Sequence, residues 1–160
     1  MRMSRGVEWA MHVVLSLAWV DDDRPVSTAV LARSYDLPAP YLNKQLQALV
    51  RAGILTSVPG AAGGFVLTRS AKHISVLDVV TAIEGAEEAF RCTEIRAQGV
   101  GADMPPGQLS MPCAVSMAMR KADLAWRREL AGQSVDDVRV EAERHAPGLA
   151  ERMRHAYDRG

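Results

Sequence analysis

The 160-residue chain has no apolar run long enough to cross a membrane, and its first residues lack the apolar core of a secretory signal peptide. We therefore expect a cytoplasmic protein with no membrane partner. Cysteine is scarce, with two residues in the whole chain. In a reducing compartment such cysteines serve more often as metal ligands or redox-active thiols than as a structural disulfide.

Net charge is also absent, because 19 basic residues balance 19 acidic ones. An apolar content of 48% and the lack of internal repeats are typical of an ordinary globular protein. The charge is unevenly distributed, since residues 24–72 carry a single acidic residue, Asp36, and a local excess of +5. Phosphate binding requires such a local excess, whatever the total charge. The basic residues of this stretch are Arg24, Arg33, Lys44, Arg51, Arg69 and Lys72.

Residues 41–69 have the pattern of an amphipathic helix followed directly by a β-hairpin. One face of the helix carries apolar residues at helical spacing, with Pro40 suited to its start and Gly53 to its end. These apolar residues are Leu42, Leu46, Leu49 and Val50. Residues 54–58 and 65–68 are predicted strands. The glycines between them are expected to supply the positive φ of a hairpin tip, and they are Gly60, Gly63 and Gly64.

A second helix precedes this unit. Ser27 is a suitable cap for a helix that turns Val30 and Leu31 inward, and residues 36–39 form a short turn. Helix, turn, helix and hairpin together predict a winged helix-turn-helix, in a fold that is mainly α with a small β-hairpin. Such units are sometimes only packing modules, and a polar helix face is usually just solvated. The local charge favours binding to double-stranded DNA, through Ser27, Tyr41, Asn43, Lys44, Gln47, Arg51 and Arg69.

Beyond the hairpin, Ser75 and Asp78 form a capping-box pattern for a helix that Gly85 ends. Periodicity is then lost over residues 86–112, and long irregular segments tend to be functional or disordered. Residues 113–131 have the pattern of a long helix with enough apolar surface to indicate a second copy of the chain as partner. Ser134 and Asp137 begin a further helix, and the charged tail at residues 141–160 is expected to fray.

These patterns divide the chain into three segments. Residues 1–85 are predicted to form the winged helix-turn-helix DNA-binding domain. Residues 86–112 form a loop that the two cysteines bracket, and residues 113–160 form a dimerisation helix with a helical tail.

Several segments together resemble the IscR/NsrR family of bacterial winged-helix transcription regulators. The resemblance spans roughly residues 3–130 and rests on VEWAMHVVLSLA, YLNKQLQALVRAGIL, GAAGGFVLTR, SVLDVVTAIEG and CTEI, followed by a later cysteine. It implies a homodimer formed through the long C-terminal helix, operator binding as a dimer, and in many members an iron–sulfur cluster in the loop before that helix. Ala61 and Ala62 stand where relatives commonly carry a basic wing residue, so we expect DNA to be read mainly by the helix.

The commonest family pattern has three cysteines in the loop, whereas this chain has Cys92 and Cys113. Glu8 and His12 lie one helical turn apart and are candidates for the missing ligands. VEWAMH and AFRCTEIR resemble the RsrR-type redox sensors, which implies a [2Fe–2S] cluster held by these four residues, with the first helix contributed by the partner subunit. Trp9, beside Glu8, is a candidate redox relay, although tryptophans are more often core residues.

Less specific interpretations of the same residues remain open. A Glu and a His one turn apart are usually only a surface pair, and lone cysteines are most often buried hydrophobes. The protein could bind DNA without a cluster and use Cys92 and Cys113 as a thiol–disulfide switch, or sense another signal. A mononuclear zinc enzyme could use the same ligands. No separate general base or substrate pocket is recognisable, so we expect a regulator with no catalytic residues and no small-molecule substrate.

Overall fold

The structure, a computed structural model, describes residues 3–20, 24–105, 107 and 109–158. Pro106 and Gln108 of the predicted loop, and Arg159 and Gly160 of the predicted tail, lie outside the described residues. The helices are α1 (Arg5–Ala18), α2 (Thr28–Ser34), α3 (Ala39–Arg51), α4 (Val76–Glu84), α5 (Ala114–Ala131), α6 (Val135–His145) and α7 (Leu149–Asp158). The strands are β1 (Leu55–Val58) and β2 (Gly64–Leu67), and short 3-10 turns lie at Ala71–His73, Ile95–Ala97 and Gly99–Gly101.

Helix α3 packs its predicted apolar face inward. Leu42, Leu46 and Leu49 are fully buried, each with 0% exposure, because their spacing places them on one side of the helix. Helix α1 contacts α3, α4 and α6 and contributes several fully buried residues to the same core. The fold predicted from the sequence, mainly helical with one small hairpin, is confirmed.

The turn between α2 and α3 has a defined hydrogen-bond pattern. Ser27 caps α2 as predicted, its hydroxyl accepting the amide of Val30 at 3.3 Å. At the other end Asp36 adopts a left-handed conformation with φ 51°, and the Leu37 amide donates to the Ala32 carbonyl at 2.9 Å. This is a Schellman-type ending, in which a left-handed residue turns the chain out of the helix. It sets the direction in which α3 begins.

The hairpin is antiparallel and pairs Leu55 with Leu67 at its base. A third segment joins it, since Val26 exchanges two backbone hydrogen bonds with Phe65, at 3.1 and 2.9 Å. Gly60 has the expected positive φ, at 107°. The same expectation for Gly63 and Gly64 is wrong: their lack of a side chain is required by close approach, because a Cβ would overlap the carbonyl oxygens of Val58 and Val26.

Both predicted capping boxes are present. Ser75 and Asp78 cap α4, while Ser134 and Asp137 cap α6, each pair exchanging side-chain and backbone bonds. The two helix starts are joined, because the amide of Val76 donates to the Gln133 carbonyl and that of Val135 to the Ile74 carbonyl, at 2.9 and 2.8 Å. Helix α6 is thereby attached to the base of the winged domain.

The expectation of a frayed tail is wrong for its described part. Residues of α6 and α7 form helices, and Tyr157 is 6% exposed in the main core. The Trp19 indole also donates to the Glu143 carboxylate at 2.7 Å. The tail orders because its apolar residues recur at i, i+4 and i+8, as in Leu149, Met153 and Tyr157, and bury one face despite the high total charge.

The chain divides into two compact units. Residues 87–129, with the cysteine loop and most of α5, form one unit, and residues up to 86 together with those from 130 onward form the other. Every residue of α5 is at least partly exposed. Within the described residues, no helix is both long and apolar enough to cross a membrane.

Changing Gly64 to alanine tests the close approach in the wing. The added Cβ would meet the backbone of Val26, so we expect Gly64→Ala to lower the free energy of unfolding by about 1–3 kcal/mol, the usual effect of overpacking. Urea denaturation measures this change. Ala62→Gly, at the exposed tip of the same loop, is the control, with an expected effect of less than about 1 kcal/mol. Equal stability of Gly64→Ala and wild type would contradict the proposed crowding.

Candidate nucleic-acid interface and cysteine loop

The outer face of α3 presents the side chains that the sequence predicted for DNA contact. Tyr41 is 66% exposed. The others, all exposed, are Asn43, Lys44, Gln47 and Arg51. Opposite them the leucine face is fully buried, which fixes the rotation of the helix about its axis. The exposed amides can pair with base edges and the cations with phosphates, which are the two kinds of contact that a recognition helix makes.

Arg69 has several partners within the chain. Its guanidinium donates to the carbonyl oxygens of Gly53 and His73, at 2.8 and 2.9 Å, and pairs with Asp78 at 3.4 Å. These bonds join the end of α3, the strand β2 and the start of α4. In the structure Arg69 therefore stabilises the base of the hairpin. Its predicted role in DNA contact stays a prediction.

The other predicted DNA contacts differ in their surroundings. Ser27 is half-buried, and its hydroxyl oxygen caps α2. The hairpin tip is uncharged, with Ala61 and Ala62 both exposed. The cationic residues of α3 are thus better placed for phosphate contact than those of the hairpin.

Glu8 and His12 are both exposed on α1, one helical turn apart. The His12 ring lies 5.3 Å from the ring of Tyr35, centre to centre. The Tyr35 hydroxyl donates to the His12 carbonyl at 3.3 Å and is bonded to the Ser16 hydroxyl at 2.7 Å. Sequence reasoning missed Tyr35, because nothing in its position at the end of α2 indicates a contact with α1. Trp9 is half-buried and packs against the core.

Both cysteines are free thiols, Cys92 exposed and Cys113 half-buried. Cys113 immediately precedes α5, and its carbonyl accepts the amide of Met117 at 2.9 Å. The backbone amide of Ser116 chiefly, with help from that of Val115, lowers the pKa of the Cys113 thiol. A helix N-terminus stabilises a thiolate, which is the form that binds metals and attacks disulfides.

Arg96 joins the two ends of the cysteine loop. Its guanidinium holds the Glu94 carboxylate with two bonds, at 2.5 and 2.9 Å, and donates to the Met111 carbonyl at 3.0 Å. Glu94, and more weakly the Cys113 and Cys92 thiols, raise the pKa of Arg96. Four side chains of the loop therefore influence one another electrostatically, and they are Cys92, Glu94, Arg96 and Cys113. Sequence reasoning missed this role of Arg96, since arginines are common in loops.

No group of three or more His, Cys, Asp or Glu side chains that could hold a metal ion occurs among the described residues. The four predicted ligands are found as two pairs, Glu8 with His12 on α1 and Cys92 with Cys113 in the loop. Each pair lies in a different compact unit.

Helix α5 exposes several large apolar side chains along its length. Val115 is 60% exposed, and the others are Met117, Met119 and Leu124. By helical spacing Val115 and Met119 lie on one side of α5, and Met117 and Leu124 on the other. Exposed apolar side chains in this number are typical of a protein–protein interface.

Comparison with known proteins identifies the family. Residues 3–141 match the Rrf2 family, described as iron-dependent transcriptional regulators. The protein YffB of Lactococcus lactis is 31% identical over 143 residues, which cover 89% of this chain and 90% of YffB.

Two solved structures share the fold. CymR (YrzC), the global cysteine regulator of B. subtilis, gives a TM-score of 0.68 at 21% identity and covers 88% of this chain and 98% of its own. T. potens IscR gives a TM-score of 0.67 at 23% identity and covers 91% of both chains. These two structures confirm the winged-helix fold, and the family match confirms the resemblance to Rrf2/IscR-type regulators. The chain belongs to the Rrf2 family of transcriptional regulators.

Proposed function

We propose that the chain acts as a homodimeric, DNA-binding regulator that senses redox state through a [2Fe–2S] cluster. Glu8, His12, Cys92 and Cys113 are the proposed ligands. The observation that carries the proposal is the pair of free thiols in one loop, with Cys113 at a helix start that favours its thiolate. The proposal assigns Glu8 and His12 to one subunit and the cysteines to the other.

The donor set suits this cofactor. Two thiolates with an imidazole and a carboxylate carry less negative charge than four thiolates, and fewer negative ligands raise the potential of a [2Fe–2S] centre. Glu8 and His12 are exposed, so their side chains are available to a partner without rearrangement of the core. Arg96 braces the loop between the cysteines and limits how far they separate.

Helix α3 is the proposed recognition helix that binds DNA. Its exposed face enters the major groove, where amide side chains read bases and cations neutralise phosphates. The two-fold symmetry of a dimer then predicts an inverted-repeat operator whose half-sites are separated by whole helical turns. The exposed apolar side chains of α5 are the proposed dimer contacts.

Alanine variants on α3 test the DNA contacts. We expect Lys44→Ala and Arg51→Ala to weaken binding to all sequences and to lower the salt slope by about one each. Asn43→Ala and Gln47→Ala should instead relax specificity at single base pairs by about 1–3 kcal/mol. Fluorescence anisotropy measures both, with a duplex selected by the wild-type protein from a randomised pool.

Arg144→Ala is the matched control for these variants, because it removes an equal charge from an exposed site on α6. Its affinity should remain close to that of wild type. Unchanged affinity and specificity in all four α3 variants would show that another element reads DNA.

Iron content tests the ligand set. Protein purified without oxygen should absorb visible light and contain about two iron atoms per chain. Cys92→Ala, Cys113→Ala and His12→Ala should each lose most of this iron, because each removes one of four ligands. His145→Ala, an exposed histidine on α6, is the control and should keep the iron. Equal iron in wild type and Cys92→Ala would rule out the proposed ligation.

Introducing a charged residue among the exposed apolar side chains of α5 tests the proposed dimer. Leu124→Glu should weaken self-association at least tenfold, because burial of an unpaired carboxylate is unfavourable. Light scattering over a dilution series measures the dissociation constant. Glu129→Gln on the same helix is the control, and its dissociation constant should stay close to that of wild type. A Leu124→Glu variant with the dissociation constant of wild type would place the dimer surface elsewhere.

The free thiols and the lowered pKa of Cys113 also support a second candidate, in which Cys92 and Cys113 form a thiol–disulfide switch. The two thiols would form a disulfide and release two protons and two electrons to a disulfide or peroxide oxidant. Protein that stays colourless after anaerobic reconstitution, and whose affinity for the selected duplex changes with dithiothreitol, would favour this candidate.

A further inference from the structure

A partly buried cluster of hydroxyl groups lies where α1, α2 and α7 meet. Its members are Ser16, Ser34, Tyr35 and Tyr157. Ser16 has 0% exposure and Tyr157 has 6%, so their hydroxyl groups have little access to water. Buried hydroxyls are unfavourable unless they are hydrogen-bonded, and the pattern of bonds in such a cluster therefore influences which conformation is stable.

One buried hydroxyl of the cluster lacks a hydrogen bond within the described residues. Ser16 is bonded to Tyr35 at 2.7 Å, and Ser34 donates to the Val30 carbonyl at 2.9 Å. The Tyr157 hydroxyl is buried and has no hydrogen-bond partner within the described structure. Burial raises the pKa of Tyr157, and the neighbouring hydroxyls of Ser16 and Ser34 oppose that effect. Ser16 is therefore bonded to one tyrosine hydroxyl and lies near enough to the other to influence its pKa.

Tyr35 connects this cluster to two other parts of the protein. Its ring contacts His12, and its hydroxyl donates to the His12 carbonyl. In the chain it is the last residue before Asp36, whose left-handed conformation directs α3. A displacement of His12 would therefore act on the residue next to the turn that sets the direction of α3.

We infer that Tyr35 is a positioning residue that links α1 to the recognition helix, and that the bond from Ser16 alternates between Tyr35 and Tyr157. In the first arrangement, which the structure shows, Ser16 holds Tyr35 and leaves Tyr157 unbonded. In the second, Ser16 turns to Tyr157, and Tyr35 keeps only its bond to the His12 carbonyl, so the turn that follows Tyr35 is held less firmly. The inference rests on the proposed function, because the displacement that acts on Tyr35 starts at His12, a proposed cluster ligand.

The alternation makes the two arrangements similar in energy. When Ser16 releases Tyr35, one hydrogen bond is lost and another forms on a hydroxyl that had none. Tyr35 is only half-buried, so its released hydroxyl has access to water. A small change in the position of His12 is then sufficient to alter the populations, which is the requirement for a two-state element.

Two conservative substitutions should act in opposite directions. Tyr35→Phe removes the bond of the first arrangement and favours the second. Tyr157→Phe removes the unbonded hydroxyl of the first arrangement and the bond of the second, so it favours the first. A static cluster also gives opposite signs, because removal of an unbonded buried hydroxyl is itself stabilising, so a double-mutant cycle with Ser16 is needed to separate the two cases. The double variant should behave nearly as wild type.

Hydrogen exchange provides a readout that needs neither DNA nor a cluster. The amides of Asp36 and Leu37 close the turn on Arg33 and Ala32. We expect Tyr35→Phe to speed their exchange by about three- to tenfold, the equivalent of one net hydrogen bond, and Tyr157→Phe to slow it. Amides of α4, away from the cluster, are the internal control. Changes of the same sign, or none, would overturn the inference.

A double-mutant cycle with Ser16→Ala identifies the shared partner. Because Ser16 is bonded in both arrangements, its removal should largely abolish the effect of Tyr157→Phe. It should only reduce the effect of Tyr35→Phe, which also loses the bond to the His12 carbonyl. Effects that persist unchanged in the Ser16→Ala background would overturn the alternation.

Affinity for the selected duplex tests the connection with DNA binding. The two tyrosine variants should change the affinity of cluster-free protein in opposite directions, by about three- to tenfold. Opposite shifts in exchange without any in affinity would overturn the link to α3. Wild-type protein that selects no duplex would instead contradict the proposed function, while the exchange data still decide between the two arrangements.

Discussion

The burial of the α3 leucines against the core is the constraint on which the rest of the structure depends. With Leu42, Leu46 and Leu49 fully enclosed, α3 cannot rotate without exposing large apolar side chains. Each would lose roughly 1.5–3 kcal/mol of burial free energy. The polar face is therefore held outward by the hydrophobic effect rather than by its own contacts. Helix α1 approaches closely at Gly6, where a Cβ would crowd Gln45 of α3 and Ile83 of α4.

The cysteine loop is built differently. Its helix α5 has every residue at least partly exposed, and the loop is held by the Arg96 bonds and the amides at the start of α5. Segments with few buried apolar contacts open at lower free energy than cores, and sensing elements are drawn from such segments. The polar face of α3 is therefore held by a buried core, whereas the cysteine loop is held by a few polar contacts.

Local features could be predicted from the sequence. Helical spacing identified the inward face of α3, and the capping pairs Ser75/Asp78 and Ser134/Asp137 marked helix starts, because these signals act over a few residues. The features that sequence reasoning missed depend on distant partners. The tail orders by packing on residues more than a hundred positions earlier, and Tyr35 meets α1 across the fold. For Gly64 the sequence showed the residue type but not the neighbouring Val26 backbone.

The free-energy difference between the two arrangements of the turn is limited by the hydrogen bonds that differ between them. A left-handed non-glycine residue such as Asp36 is unfavourable by roughly 1 kcal/mol, so the turn is retained only while its surroundings support it. One net hydrogen bond at Tyr35 is worth about 1 kcal/mol, a factor of about five in a two-state equilibrium. In the proposed symmetric dimer both α3 helices must be correctly placed, so the two factors multiply to roughly twenty-five. Stronger regulation than this would require further contacts that differ between the two states, because a ligand shifts an equilibrium only by its differential interaction with them.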